Sequence, residues 1–180
     1  MIQAGDWLIR RLQQEDAQHL AKWLSDERVL QYYEGRDRPH DAALVQKHFF
    51  DEGDTATRCL IIHATKPIGY VQFYALDNED KAEYGYERAA NIYGMDQFIG
   101  EPDFWNRGIG TQLVQTMLEY LASVVGVQKV VMDPQISNER ALRCYEKCGF
   151  VKVKMLPLHE SHEGSMRDCW LLEWSPSTGL

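Results

Sequence analysis

Ser137-Asn138-Glu139-Arg140-Ala141-Leu142-Arg143-Cys144-Tyr145-Glu146-Lys147-Cys148-Gly149-Phe150 contains a helix together with its stop signal. The pattern predicts a helix from Arg140 to Lys147, closed by Gly149, because glycine enters the left-handed backbone region of a C′ position without steric cost. Asn138, Ala141 or Leu142, and Tyr145 then share one face, and Cys144 and Cys148, four apart, share another. A strand follows at about Phe150–Met155. On the N-terminal side, Lys129-Val130-Val131-Met132-Asp133 reads as a short strand of buried type. Before it a long helix spans Ile109 to Val124, with Leu113, Met117 and Leu121 as its apolar stripe and Val114, Leu118 and Ala122 beside it. This is a helix–strand–helix–strand unit, finished by a strand at Cys169–Trp174.

The front half has a different rhythm. Trp7-Leu8-Ile9-Arg10-Arg11-Leu12 reads as a first strand. A helix entered at Gln14-Glu15-Asp16 turns Leu20, Trp23 and Leu24 inward. Asp41 is placed to cap a second helix with Leu44, Val45, His48 and Phe49 inward. Cys59–His63 and Ile68–Tyr74 are strands around a turn at Lys66-Pro67, Asp77–Glu83 reads as a solvated acidic loop, and Ile92–Ile99 is a further strand. The fold class is therefore α/β (α+β), with a mostly antiparallel front half and a crossover unit behind it. One domain is expected over 1–174, with a tail at 175–180.

The full chain has 180 residues, 44% hydrophobic and 26% charged, which suits a globular protein. Its 27 acidic and 19 basic residues give a formal charge of −8, a balance that argues against nucleic acid and favours a cationic partner. No apolar run approaches the roughly 20 residues that cross a bilayer, so no membrane role is expected. Met1-Ile2-Gln3-Ala4-Gly5-Asp6 shows no export signal, and a cytoplasmic location follows. Cys59, Cys144, Cys148 and Cys169 form no Cys-x-x-Cys and read as buried or half-buried thiols. His159-Glu160-Ser161-His162 spaces its histidines three apart rather than four, so no metal is expected.

Trp105-Asn106-Arg107-Gly108-Ile109-Gly110-Thr111 joins a strand to the long helix. Two glycines two apart let successive N–H groups point into one concavity at a helix N-terminus, an arrangement suited to phosphate. A P-loop requires Gly-Lys-Ser/Thr, and a dinucleotide turn requires a third glycine where Leu113 stands; neither is met.

With this turn, the quoted run looks like the Asn-x-x-Ala-x-x-x-Tyr-x-x-x-Gly-Phe signature of the GNAT acetyltransferases. The turn itself resembles their pyrophosphate loop, Gln/Arg-x-x-Gly-x-Gly/Ala, with Trp105 departing at the first position. The likeness narrows toward aminoglycoside 6′-N-acetyltransferases in Ile92–Pro102, Met132-Asp133-Pro134, Arg143–Lys147 and Lys22–Leu30, and Leu158–Gly164 is similar to the acetyltransferase half of bifunctional resistance enzymes. It covers nearly the whole chain and is most specific from Tyr93 to Phe150. The family fold it implies is a mixed, mostly antiparallel sheet of about seven strands flanked by about four helices.

The resemblance implies an acetyl-CoA-dependent N-acetyltransferase acting on a small polycationic aminoglycoside. Asp96 is expected as the carboxylate base and an acceptor ligand, and Tyr145 as the acid toward the coenzyme A thiolate. Backbone N–H groups of Arg107, Gly108, Ile109, Gly110 and Thr111 would hold the pyrophosphate. Phe98 and Ile99 would offer strand backbone to the pantetheine arm, which Asn138 would also bond. Asp133 is the next acceptor ligand, with Glu34, Glu163 and Asp168 as further carboxylates and Tyr32 or Tyr33 against a sugar ring. Acetylation of a protein N-terminus or a polyamine, and a non-catalytic coenzyme A-binding module, stay open, as does the choice between monomer and homodimer.

Overall fold

The computed structural model describes residues 2–50, 53 and 55–176; of the expected tail, 177–180 lie outside the described residues. Eight strands are described: β1 (Ile2–Ala4), β2 (Trp7–Arg11), β3 (Thr57–His63), β4 (Lys66–Ala75), β5 (Ile92–Ile99), β6 (Lys129–Met132), β7 (Val151–His162) and β8 (Ser165–Trp174). The six α-helices among the described residues are α1 (Ala17–Trp23), α2 (Glu27–Leu30), α3 (Ala42–Phe49), α4 (Asn78–Tyr84), α5 (Ile109–Tyr120) and α6 (Glu139–Lys147). The strand order is β1-β2-β3-β4-β5-β6-β8-β7. Pairing is antiparallel along β1-β2-β3-β4 and between β6 and β8, and parallel between β5 and β6, where Ile92, Tyr93 and Gly94 face Lys129, Val130 and Val131. That parallel pair requires the crossover helix α5, because two parallel strands cannot be joined by a tight turn.

Local chemistry sets the helix starts. Asp41 accepts the Leu44 N–H at 2.8 Å and opens α3 as expected. Val45 and Phe49 of that helix are buried, but Leu44 is only half-buried and His48 is exposed. The His48 ring turns to His40 instead, Nδ1 to Nε2 at 3.1 Å. The acidic stretch expected as a loop is α4. Asp77 accepts the N–H groups of both Glu79 and Asp80 at 2.8 Å, and Gly85 closes the helix at φ 87°. Acidic groups in a first turn also complement the helix dipole. This helix buries no residue, so no apolar periodicity announced it.

Close contacts divide the chain into two compact units. The first comprises the described residues of 2–73, 96–107 and 162–164. Its core gathers Leu20, Trp23 and Leu24 of the α1 region with Val45, Phe49, Leu60, Tyr70 and Phe98. The second comprises the described residues of 74–95, 108–161 and 165–176. Leu76, Ile92, Val131, Leu156, Cys169 and Leu171 pack together there. Full burial of one such Leu, Ile or Phe side chain is worth roughly 1.5–3 kcal/mol, so these clusters dominate the stability of their units. No helix among the described residues is long and apolar enough to cross a membrane.

Candidate active site

The turn before α5 has the backbone that its glycine pattern implied. Asn106 stands at φ 59° and Gly108 at φ 77°, both left-handed, so successive N–H groups curl toward one side. The first intrahelical bond runs from the Gln112 N–H to the Gly108 carbonyl at 3.1 Å. The N–H groups of Ile109, Gly110 and Thr111 precede it, as at any helix start, and carry the positive end of the dipole. A Cβ on Gly108 would meet nothing within 4 Å, so it is the backbone conformation and not crowding that calls for glycine there. This donor set fits a pyrophosphate such as that of coenzyme A, which needs several N–H donors and no dedicated side chain.

Helix α6 starts at Asn138, whose side-chain oxygen accepts the Ala141 N–H at 3.2 Å. The residue expected to touch the donor arm is thus also the N-cap of its helix. Tyr145 is half-buried, its ring 6.0 Å from that of Phe150, and the chain reverses just behind it through the Phe150 N–H to the Tyr145 carbonyl. Gly149 has φ 94°, the left-handed C′ geometry the sequence implied. Cys144 of α6 and its C-cap Cys148 both meet Thr111 of α5: the Cys144 sulfur lies 3.5 Å from the hydroxyl, and the Cys148 thiol donates to the carbonyl at 3.5 Å.

On β5, the half-buried Asp96 accepts a hydrogen bond from the Gln72 amide at 2.8 Å. The Gln72 carbonyl oxygen in turn accepts the Tyr70 hydroxyl proton at 2.7 Å. The amide can turn neither way freely, because its oxygen must face Tyr70 and its nitrogen Asp96. Burial raises the Tyr70 phenol well above its ordinary pKa, which keeps it a neutral donor. Gln72 and Tyr70 were not singled out from sequence; their period-two spacing along β4, which puts both on one face, was the available signal. Phe98 is buried between Tyr70, stacked at 5.6 Å, and Tyr33, tilted at 4.7 Å, so Tyr33 belongs to this aromatic layer while Tyr32 is 40% exposed. The Ile99 carbonyl accepts the Trp105 indole N–H at 2.8 Å, which gives Trp105, the departure from the family pattern, a structural role.

Asp133, beyond the end of β6, is held by two groups the sequence did not point to. The Tyr84 hydroxyl donates to its Oδ2 at 3.2 Å, and His159 Nε2 lies 2.9 Å from the same oxygen. The other ring nitrogen of His159 lies 3.2 Å from Glu83. The hydrogen bond to Asp133, working against burial, raises the His159 pKa, and the charges of Asp133 and Glu83 add to it. Glu163 binds Arg36 through both oxygens, one of which also accepts the Arg36 backbone N–H at 3.1 Å. Asp168 accepts the Leu158 N–H at 2.8 Å, and Glu34 is half-buried at φ 67°. Asp96, Phe98, Ile99, Arg107, Tyr32, Glu34 and Glu163 thus belong to the first unit. Gly108–Thr111, Asp133, Asn138, Tyr145 and Asp168 belong to the second.

A mixed sheet whose single described parallel pair encloses a helix begun on a left-handed glycine turn, followed by an Asn-capped helix ending in Tyr and Gly-Phe, defines the acetyltransferase class. The chain belongs to the GNAT acetyltransferases: residues 13–158 match the acetyltransferase (GNAT) domain. It is similar to the aminoglycoside N(6')-acetyltransferase type 1 of Klebsiella pneumoniae, with 29% identity over 145 residues, 79% of this chain and 72% of that protein. Among solved structures it resembles aminoglycoside acetyltransferase AAC(6')-Ib in complex with coenzyme A and kanamycin, at 23% identity and a TM-score of 0.73 over 94% of both chains. The spermidine N-acetyltransferase of Vibrio cholerae, in complex with coenzyme A and spermine, is matched at 16% identity and a TM-score of 0.77 over 96% of both chains. At these identities the two solved structures speak for the fold alone.

Proposed function

We propose that this protein transfers the acetyl group of acetyl-CoA to the 6′-amino group of aminoglycosides, in the cytoplasm, as one acetyltransferase domain over 1–174. The observation that carries this is the likeness to an aminoglycoside 6′-acetyltransferase across 79% of the chain. The charge of −8 accords with an acceptor bearing several ammonium groups.

An alkyl ammonium has a pKa of about 10, so the acceptor arrives protonated and must lose a proton before its nitrogen attacks. Asp96 attracts that cation and takes the proton, directly or through water, and the Tyr70–Gln72 chain keeps its carboxylate turned. Backbone N–H groups at Phe98 and Ile99 stabilise the oxyanion that forms on the thioester carbonyl. Tyr145 gives a proton or a hydrogen bond to the departing thiolate, whose pKa of about 8.5 makes a hydrogen bond sufficient. The 107–111 turn holds the pyrophosphate, and the Asn138 side chain supports the pantetheine arm. Asp133 receives a second acceptor ammonium, with Tyr32, Glu34 and Asp168 as further contacts; Glu163 serves by holding Arg36 and its loop.

The test is release of free coenzyme A thiol from acetyl-CoA with kanamycin, spermidine or a peptide as acceptor. Kanamycin is expected to support turnover, and Asp96→Asn to lower kcat/KM by about 10²–10⁴. Unchanged turnover in Asp96→Asn removes the base assignment. Turnover with spermidine or peptide alone moves the chain to another acceptor, and silence with all three leaves a coenzyme A-binding module.

A further inference from the structure

Cys144 lies on α6 and Cys148, four residues on, is its C-cap, and acyl transfer makes no use of them. The Cys144 sulfur lies 3.5 Å from the Thr111 hydroxyl and 3.5 Å from where a side chain on Gly110 would begin. The Cys148 thiol donates to the Thr111 carbonyl at 3.5 Å. Both sulfurs thus lie against the same residue, Thr111. Both are half-buried, whereas Cys59 and Cys169 are buried. Cys148 lines an open cavity of about 530 Å³ with Leu118, Ala122 and Trp174. The neighbouring Cys148 thiol, with Thr111 and the Lys147 charge, draws the Cys144 thiol below its ordinary pKa against the effect of burial. Cys144 and burial push Cys148 upward. Two neighbouring half-buried thiols, one of them with a lowered pKa, are an arrangement suited to thiol–disulfide chemistry.

We propose that Cys144 and Cys148 form a dithiol modification site for low-molecular-weight disulfides, with Cys144 attacking and Cys148 resolving. The Cys144 thiolate attacks one sulfur of the disulfide, whose S–S bond breaks and whose other half leaves as a thiolate. Cys148 then loses its proton to solvent and attacks the Cys144 sulfur, expelling the second small thiolate. The protein loses two electrons as an internal disulfide, and the small disulfide gains them as two thiols. Cβ atoms four residues apart on a helix are about 5–6 Å from each other, and a disulfide needs about 3.5–4.5 Å. Forming the disulfide therefore requires the last turn of α6 to shift, and Cys148 stands where such a shift breaks least of the helix, as the C-cap beyond its last residue. The cavity beside Cys148 accommodates the departing thiol.

The test uses the full chain, Cys144→Ser and Cys148→Ser, each incubated with oxidised glutathione and followed by intact mass and peptide mapping. The wild type is expected to finish as a Cys144–Cys148 disulfide with two equivalents of glutathione released. Cys148→Ser should keep one glutathione on Cys144, and Cys144→Ser should react about tenfold more slowly or worse. Wild-type reactivity in Cys144→Ser, or a wild type that retains the mixed disulfide, overturns the proposal. Circular dichroism of each variant shows that it has folded. Neither readout involves acetyl-CoA or an acceptor, so the outcome is independent of the acyl-transfer proposal.

Discussion

At Gly100 the backbone passes so close to Trp23 that a Cβ would fall 2.2 Å from the indole ring. That ring cannot step aside cheaply, because it is 1% exposed and its Nε1 donates to Glu101 at 2.9 Å. Gly100→Ala is expected to cost about 1–3 kcal/mol by overpacking, read as a lower midpoint in urea with an unchanged slope. A midpoint equal to wild type means Trp23 relaxes, and the close approach is not a constraint. How far single residues were legible depended on whether their partners lay nearby in sequence. Asp96 stood out as a carboxylate in a predicted strand, but the amide that orients it sits twenty-four positions earlier, and nothing local marks Gln72 as its partner. His159 drew attention only as half of a failed zinc motif. Its actual partners, Asp133 and Glu83, come from elements whose meeting is a product of the fold.

Elements were legible in proportion to the apolar surface they bury. The stripe of α5 announced itself through Leu113, Met117 and Leu121, all at most 1% exposed, and the matching helix is present, though its last turn loosens into a π-type turn at Leu121–Val125. α4 buries nothing, so its sequence carries the composition of a loop; its capping aspartate is the one local signal for a helix, without the apolar periodicity to support it. The β7–β8 pair was read at its two ends only, because the exposed residues along β7 offer no clean alternation. For α5, the feature that joins fold to chemistry is the left-handed Gly108. With no atom within 4 Å of its missing Cβ, Gly108→Ala creates no clash and tests the backbone conformation alone. A left-handed alanine costs about 1–2 kcal/mol, so a drop in Tm of a few degrees is expected. If the turn holds the pyrophosphate, KM for acetyl-CoA should rise more than KM for the acceptor. Equal rises in both would assign Gly108 a purely structural part.

Over the molecule, stability is bounded on the acid side and the alkaline side by different groups. Burial acts to raise Glu101, but hydrogen bonds from Lys22, Trp23 and Lys66 outweigh it and hold the carboxyl at about 2, against 4.5 when unfolded. A lowered folded-state pKa means the contribution is complete above 4.5 and disappears as pH falls from there toward about 2. His159 has the opposite sign. Its folded-state pKa lies above the unfolded 6.5, because Asp133 and then Glu83 favour the imidazolium. Its contribution is complete below 6.5 and is lost as pH rises through the higher folded value. Thermal midpoints across pH should therefore separate the two by single substitutions. Glu101→Gln is expected to lie below wild type at neutral pH and converge with it as the solution is acidified below 4.5. His159→Gln is expected to show its largest deficit at mildly acid pH and to close the gap on the alkaline side. A His159→Gln deficit that stays constant from pH 6 to pH 9 would mean that the imidazole acts there as a neutral hydrogen-bonding group, and that the carboxylates of Asp133 and Glu83 carry their charge without it.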